Sequence, residues 1–317
     1  MGRHLPQALA HNRQGMKGYD QPLYLLPFDH RGSFQKELIG ISGTPSAEQA
    51  AVIRDYKQTI FAGFLASLGE GVPRERAGIL VDEEYGAEVA RGARDAGVVL
   101  AMPAEKSGQA EFELQYGDAF ADHIVEFDPD FCKVLVRYNP DGDVELNRRQ
   151  SARLAELSAW LAPRPNRFMF ELLVPATEAQ IGGVGGQRAR YDTELRPQLM
   201  LRAVGELQGH GVEPDVWKVE GLEQPEDCRT LVAQVRSGGR GTTSVIVLGR
   251  GDTEAHVERW LEAAAAVPGY VGFAVGRTAW WDALVALRDG RISRQAAVES
   301  IAGHFRHLVE IWTTHAG

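Results

Sequence analysis

Eight short runs of aliphatic and β-branched residues recur along this chain, each followed by a longer amphipathic stretch, and that alternation constrains the fold more than any other feature. The strand-like runs fall at residues 23–29, 77–82, 98–103, 132–138, 167–174, 215–220, 244–249 and 270–275. Helical patterns occupy 47–68, 86–95, 148–161, 196–210, 226–236 and 253–266. A strand-plus-helix unit thus returns every ~30 residues, the length of a βαβ repeat. Eight such units over about 260 residues, with no linker between them, predict an α/β fold of the (β/α)8 barrel type. An open doubly wound sheet fits less well, because the first strand runs into Phe28-Asp29-His30-Arg31-Gly32 instead of a glycine-rich dinucleotide turn.

Residues 1–21 read as a short polar N-terminal extension, 22–317 as a single barrel domain, and 293–314 as an extra C-terminal helix on it. Helix starts are signalled by Ser46 with Gln49 and by Asp252 ahead of Thr253 and Glu254. The glycine-rich stretch 182–186 is expected to be the most flexible loop, either a lid or a plain surface turn. Trp280, Trp281 and Trp312 are expected to pack into the core, with a subunit contact as the other reading.

Composition narrows the partners. The chain carries 43 acidic and 34 basic side chains, a formal charge of −9, which argues against a nucleic-acid surface. With 44% hydrophobic and 24% charged residues, disordered and fibrous classes are excluded. No run reaches the roughly 18 apolar residues of a membrane helix, the first residues lack a signal-peptide core, and the Met-Gly start lacks the Ser or Thr of a myristoylation signal. A cytoplasmic protein is expected. The two cysteines, Cys132 and Cys228, suit a reducing compartment as structural residues and offer no metal-ligand spacing.

Barrel enzymes carry reactive groups at the C-terminal ends of strands, so polar residues inside otherwise apolar runs are informative. Lys133, Glu171, Lys218 and Glu220 interrupt three consecutive runs. A charge inside a barrel is costly unless paired, so these side chains are expected to converge. Two amines close together in a low-dielectric pocket disfavour each other's charged forms, which can leave one lysine neutral and nucleophilic. That is the chemistry of Schiff-base formation with a ketone. Asp29 and Glu171 are the candidates for moving its protons. The last two strands end in Gly249-Arg250-Gly251-Asp252 and Gly276-Arg277-Thr278. Glycines that admit an anion, arginines that hold it and a helix start just downstream predict a phosphate site there.

These segments resemble the class I, Schiff-base aldolases of the tagatose-bisphosphate aldolase superfamily. The resemblance rests on Phe28-Asp29-His30-Arg31-Gly32, Val81-Asp82-Glu83-Glu84-Tyr85-Gly86, Glu105-Lys106-Ser107-Gly108, Lys133 to Tyr138, Glu171-Leu172-Leu173, Asp215 to Glu220 and Gly276 to Trp280. The opening motif continued through Ser33-Phe34, and Arg137-Tyr138-Asn139-Pro140-Asp141-Gly142-Asp143, are more specifically similar to the 2-deoxy-5-keto-gluconate-6-phosphate aldolase domain of myo-inositol catabolism. That domain is often fused behind a sugar kinase, which this sequence lacks.

The resemblance implies that Lys218 forms the imine, with Lys133 as its cationic neighbour and Glu171 and Asp29 as proton-handling carboxylates. It implies cleavage of the phosphorylated keto-sugar acid to dihydroxyacetone phosphate and malonate semialdehyde, without a cofactor or metal. His30, Arg31 and Arg137 would contact the carboxylate or hydroxyls. Two departures bear on the substrate: His30 stands where the tagatose-bisphosphate enzymes have glutamine, and Gly-Arg-Gly-Asp replaces their serine-containing turn. Another ketose phosphate or a sulfonated analogue is therefore the alternative substrate. A metal-dependent enzyme using His30, Glu83, Glu84 and His123, and a non-catalytic sugar-phosphate sensor, are the competing functions. The helical pair His304 and His307 is expected at the surface or in helix packing, and a homo-oligomer is possible.

Overall fold

A computed structural model describes residues 18–316. Eight parallel strands close on themselves in sequence order, each hydrogen-bonded to the next and β8 to β1. They are β1 (Leu23–Pro27), β2 (Ala77–Leu80), β3 (Val99–Pro103), β4 (Phe131–Arg137), β5 (Arg167–Leu173), β6 (Val216–Glu220), β7 (Ser244–Leu248) and β8 (Tyr270–Ala274). Around them run α1 (Ala47–Gly69), α2 (Glu83–Asp95), α3 (Phe120–Phe127), α4 (Val144–Leu161), α5 (Glu178–Gly183), α6 (Arg188–Arg190), α7 (Arg196–Gly209), α8 (Pro225–Val235), α9 (Glu254–Ala265), α10 (Arg277–Arg288) and α11 (Arg294–His315). This is the expected (β/α)8 barrel, with every predicted strand within two residues of its observed bounds.

Strand alternation builds two separate cores. Leu23, Leu25, Leu80, Ala101, Phe131, Met169, Val216, Ile246 and Ala274 fill the barrel interior, whereas alternate neighbours such as Tyr24, Leu26, Val134 and Phe170 pack under the helices. Below the interior, Tyr19 sets its ring edge-on to Phe131 at 5.2 Å, and the Gly18 amide donates to Asp215 Oδ1 at 2.7 Å. These residues close the N-terminal face; residues 1–17 of the predicted extension lie outside the described part.

Local signals fix the helices at the opposite, reactive face. Ser46 and Gln49 form the predicted capping box of α1. Lys57 of α1, fully buried, donates to the carbonyls of Phe28 (2.5 Å) and His30 (3.1 Å) and pairs with Asp82, the N-cap of α2. One cation thereby ties the end of β1 to the start of α2. Trp280 is buried and its indole donates to the Pro27 carbonyl at 3.0 Å, and Trp312 is buried against Phe273, as expected of core residues.

Three expectations are corrected. Thr253, rather than Asp252, is the N-cap of α9, because the Asp252 carboxylate accepts from the Thr253 amide at 2.7 Å and lies one residue outside the helix. The glycine-rich stretch is not a free loop: Thr177 and Gln180 form a capping box that carries α5 through Gly183, and Val184 is buried. Helices α3, α5, α6 and α10 are additional to the expected ones, since the first three are short and α10 begins directly on the Gly276-Arg277 turn.

Candidate active site

Strand parity sets the depth at which each polar side chain enters the barrel. On β4 the inward residues are Phe131, Lys133, Leu135 and Arg137; on β5, Met169 and Glu171; on β6, Val216, Lys218 and Glu220. Register places Glu171 level with Lys218 and Lys133 one inward layer lower, opposite Met169. The three groups consequently meet. Glu171 reaches Lys218 Nζ through Oε1 at 2.9 Å and Lys133 Nζ through Oε2 at 2.8 Å. Lys133 also touches Asp29 Oδ2 at 2.9 Å and Glu105 Oε1 at 2.8 Å. Both lysine side chains are at most 3% exposed.

Glu105 was not among the residues expected to react. Its signal was nevertheless present: on β3 the inward parity of Val99, Ala101 and Pro103 continues to 105, two residues past the strand end. An antiparallel bridge between Glu105 and Leu114, and a bond from Arg31 Nη2 to the Glu105 carbonyl at 2.8 Å, hold it there.

The ionisation pattern differs from that of two repelling amines. Burial alone would push Lys133 down, but Asp29, Glu105 and Glu171 outweigh it and hold its pKa well above the ordinary lysine range. Lys133 is therefore a fixed cation. Burial pushes Asp29 and Glu171 up, yet Lys133 and Lys218 overcome it and leave both carboxyls below their ordinary values. Glu105 goes the other way: burial outweighs its pairing with Lys133, and its pKa is raised.

His30 contacts Trp280 edge-on at 5.6 Å, and its Nδ1 has no hydrogen-bond partner among the described residues. Burial lowers its pKa from 6.5 to about 4, against the attraction of Asp29. The unfolded chain then binds a proton that the folded chain refuses, so the stability His30 contributes is present above pH 6.5 and is lost as pH falls toward about 4. His30→Gln should lessen that acid sensitivity by up to about 3 kcal/mol. Urea midpoints of both proteins at pH 7.5 and 4.5 check this, and parallel losses would remove His30 as the cause.

A cavity of about 860 Å³ opens above the lysines, and every predicted site residue lines it: Asp29, His30, Arg31, Lys133, Arg137, Glu171, Lys218, Gly249, Arg250, Gly251, Gly276 and Arg277. Lys36, Lys106, Gln109, Arg188 and Asp192 line it too and were not anticipated, because they come from loops and short helical turns with no strand parity to read. Gly276 is required at the β8 end, since a Cβ there would lie 2.0 Å from the Pro27 carbonyl. Gly276 is also the N-cap of α10, and it lines the cavity together with Arg277, the first residue of that helix. Arg250 and Gly251 both adopt left-handed backbone, with φ 55° and 69°. For arginine this costs about 1 kcal/mol or more, and ion pairs to Glu220 (3.2 Å) and Asp192 (3.1 Å) hold it in place.

The predicted anion-binding arginines are not bare. Arg277 lies over the Trp281 ring at 4.2 Å and pairs with Glu37 at 2.6 Å. Arg137 donates to the Gln109 carbonyl at 2.9 Å, and Arg31 Nη1 to Gln115 Oε1 at 3.3 Å.

Glu83, His123 and Glu126 do come together on the outer helices, with His123 Nδ1 2.8 Å from Glu83 Oε1, although the sequence offered no ligand spacing there. Neither His30 nor Glu84 joins them, and none of the three lines the cavity. Similarly, His307 pairs with Glu258 at 2.8 Å on the surface. Among the described residues no helix is long and apolar enough to cross a membrane.

A family profile described as "Uncharacterized protein conserved in bacteria (DUF2090)" matches residues 7–316. No curated protein matches the chain. Among solved structures the chain is similar to a fructose-bisphosphate aldolase from Plasmodium falciparum, with a TM-score of 0.67 and 13% identity over 99% of this chain and 98% of that one. At that identity the likeness shows a shared barrel fold.

Proposed function

The chain belongs to the DUF2090 family, and from the chemistry of its barrel mouth we propose that it is a lyase, an aldolase that cleaves a phosphorylated keto-sugar acid through a Schiff base on Lys218. The proposed unit of activity is the barrel of residues 22–317, with residues 1–21 as an extension, acting in the cytoplasm. One observation carries the reading: two buried amines share a single carboxylate, with Glu171 bridging Lys218 at 2.9 Å and Lys133 at 2.8 Å. An amine becomes a nucleophile only after losing its proton, and Glu171 is within reach to take it. The same carboxyl then protonates the departing hydroxyl of the carbinolamine.

The residues quoted for the inositol-pathway resemblance favour 2-deoxy-5-keto-gluconate 6-phosphate as substrate. Lys218 adds to the C5 ketone and water leaves, forming an iminium. A carboxylate, Asp29 or Glu171, removes the C3 hydroxyl proton, and the C3–C4 electron pair moves into the iminium. Malonate semialdehyde departs, and the enamine left on Lys218 is protonated at C4 and hydrolysed to dihydroxyacetone phosphate. Lys133, held charged by three carboxylates, steadies the anionic groups through which protons pass. Gly249, Gly251, Gly276, Arg250 and Arg277 form the phosphate end in this reading, and His30, Arg31 and Arg137 the end that meets the carboxylate or hydroxyls. The aldolase title of the similar barrel agrees with the reaction class.

Borohydride reduction in the presence of dihydroxyacetone phosphate tests the reading. A stable adduct mapped to Lys218 supports it; ligand binding with neither adduct nor turnover leaves a sugar-phosphate sensor, and chelator-sensitive cleavage without adduct leaves a metal enzyme. A panel of keto-sugar phosphates and sulfonated analogues ranks the substrate. Arg277→Ala should raise KM for the phosphorylated substrate roughly 10- to 100-fold with kcat little changed, the loss of one charge-assisted contact. An unchanged KM would take Arg277 out of the phosphate end.

A further inference from the structure

Resting on the aldolase reading, the cluster poses a proton-inventory question that Glu171 alone does not answer. Two amines and three carboxyl groups lie within a single chain of ion pairs no longer than 2.9 Å: Lys218, Glu171, Lys133, and then Asp29 and Glu105. When Lys218 sheds its proton, one ammonium remains among three buried carboxyls. Two carboxylates already exceed its charge, so the third holds a proton at least cost. Glu171 contacts both lysines, and Asp29 sits at the more open edge with 12% of its side chain exposed. Glu105 has one cation at hydrogen-bond distance, with Arg31 Nη2 farther off at 4.0 Å, and its buried Oε2 has no hydrogen-bond partner among the described residues.

We propose that Glu105 stores the proton that Lys218 releases, receiving it through Glu171 and Lys133 and returning it by the same route when the carbinolamine loses water. Each transfer balances. Lys218 gives a proton to Glu171; Glu171 passes one to Lys133 as Lys133 passes one to Glu105, so the net change is a neutral Lys218 and a neutral Glu105. Formation of the iminium from a neutral amine and a ketone consumes one proton and releases water, and Glu105 supplies that proton by the reverse relay. The groups facing Glu105 are Lys133 from β4, Asp29 and Arg31 from the end of β1, and the Cys132 thiol, whose own pKa burial pushes far up with Glu105 adding to the rise. The raised pKa of Glu105 agrees with the role. Glu105 is on this account a positioning residue for protons, acting through Lys133.

The test is the rate of imine formation with dihydroxyacetone phosphate, read by borohydride trapping from pH 6 to 9 in the wild type, Glu105→Gln and Glu105→Asp. In the wild type the proton stays inside the cluster, so the rate should be nearly flat with pH. Glutamine accepts no proton, and Lys218 must lose its own to solvent. Glu105→Gln should be roughly 10- to 100-fold slower near pH 7 and recover with rising pH at up to tenfold per unit, while Glu105→Asp restores a flatter profile. A uniform loss with unchanged pH shape, or wild-type rates in Glu105→Gln, overturns the proposal. Should Glu105→Gln fail to fold, a Glu105→Asp profile no flatter than solvent-driven deprotonation overturns it instead. Absence of any Lys218 adduct in the wild type is a separate result, visible before any variant is made, and sinks the aldolase reading itself.

Discussion

Lys218→Met should lose turnover by about 10⁴-fold or more and give no borohydride adduct, while its unfolding transition stays close to that of the wild type. The magnitude follows from removing a covalent nucleophile, whose contribution no neighbouring group replaces. Lys133 is the other amine within reach, but three carboxylates surround it and keep it protonated, so it does not substitute. Methionine fills the volume of the lysine stem in a wall that is 2% exposed, which avoids opening a cavity. It does leave Glu171 with one cation in place of two. Residual binding of dihydroxyacetone phosphate by calorimetry would separate lost chemistry from a lost pocket. A variant that still cleaves substrate at a tenth of the wild-type rate would move the nucleophile elsewhere.

Much of this architecture is legible in the sequence because barrel strands have a period of two and a recurring partner. Lys133, Glu171 and Lys218 stood out as charges at inward positions of apolar runs, and the same parity is what brings them together. Legibility fell wherever side chains came from segments with no period. Asp192 and Arg188 reach the cavity from a helical turn between β5 and α7, and only the closed barrel sets them beside Arg250. Glu105 lies between these cases: its parity is readable, but the strand pattern ends at Pro103. Charge state was the least legible quantity. Two lysines on β4 and β6 suggest mutual repulsion; Glu171 on the strand between them was readable, but no strand pattern pointed to the further closure of Asp29 and Glu105 around Lys133.

That closure makes Lys133 the side chain whose removal should harm the fold most. Lys133→Met leaves Asp29, Glu105 and Glu171 buried around an apolar stem, with Lys218 as the remaining cation in contact with Glu171. Stripping one partner from a buried ion cluster costs about 3–5 kcal/mol, because the groups left behind keep their desolvation penalty without the attraction that offset it. The sign of the pH dependence follows. In the wild type the depressed carboxyls of Asp29 and Glu171 stabilise the fold above their ordinary values of 3.8 and 4.5, and that contribution is lost as pH falls. In the variant, burial is opposed mainly by Lys218 at Glu171 and Asp29 and by Arg31 at Glu105, so the three carboxyls rise relative to wild type, and stability is present at low pH and lost as pH rises through the higher values. The deficit relative to wild type should therefore be largest near pH 7.5 and shrink toward pH 4.5. Adding Glu105→Gln to Lys133→Met removes one stranded carboxylate and should recover part of the loss at pH 7.5 but little at pH 4.5. Denaturant titrations of the three proteins at both pH values measure this, and a deficit independent of pH would mean that Lys133 matters for its packing and not for its charge.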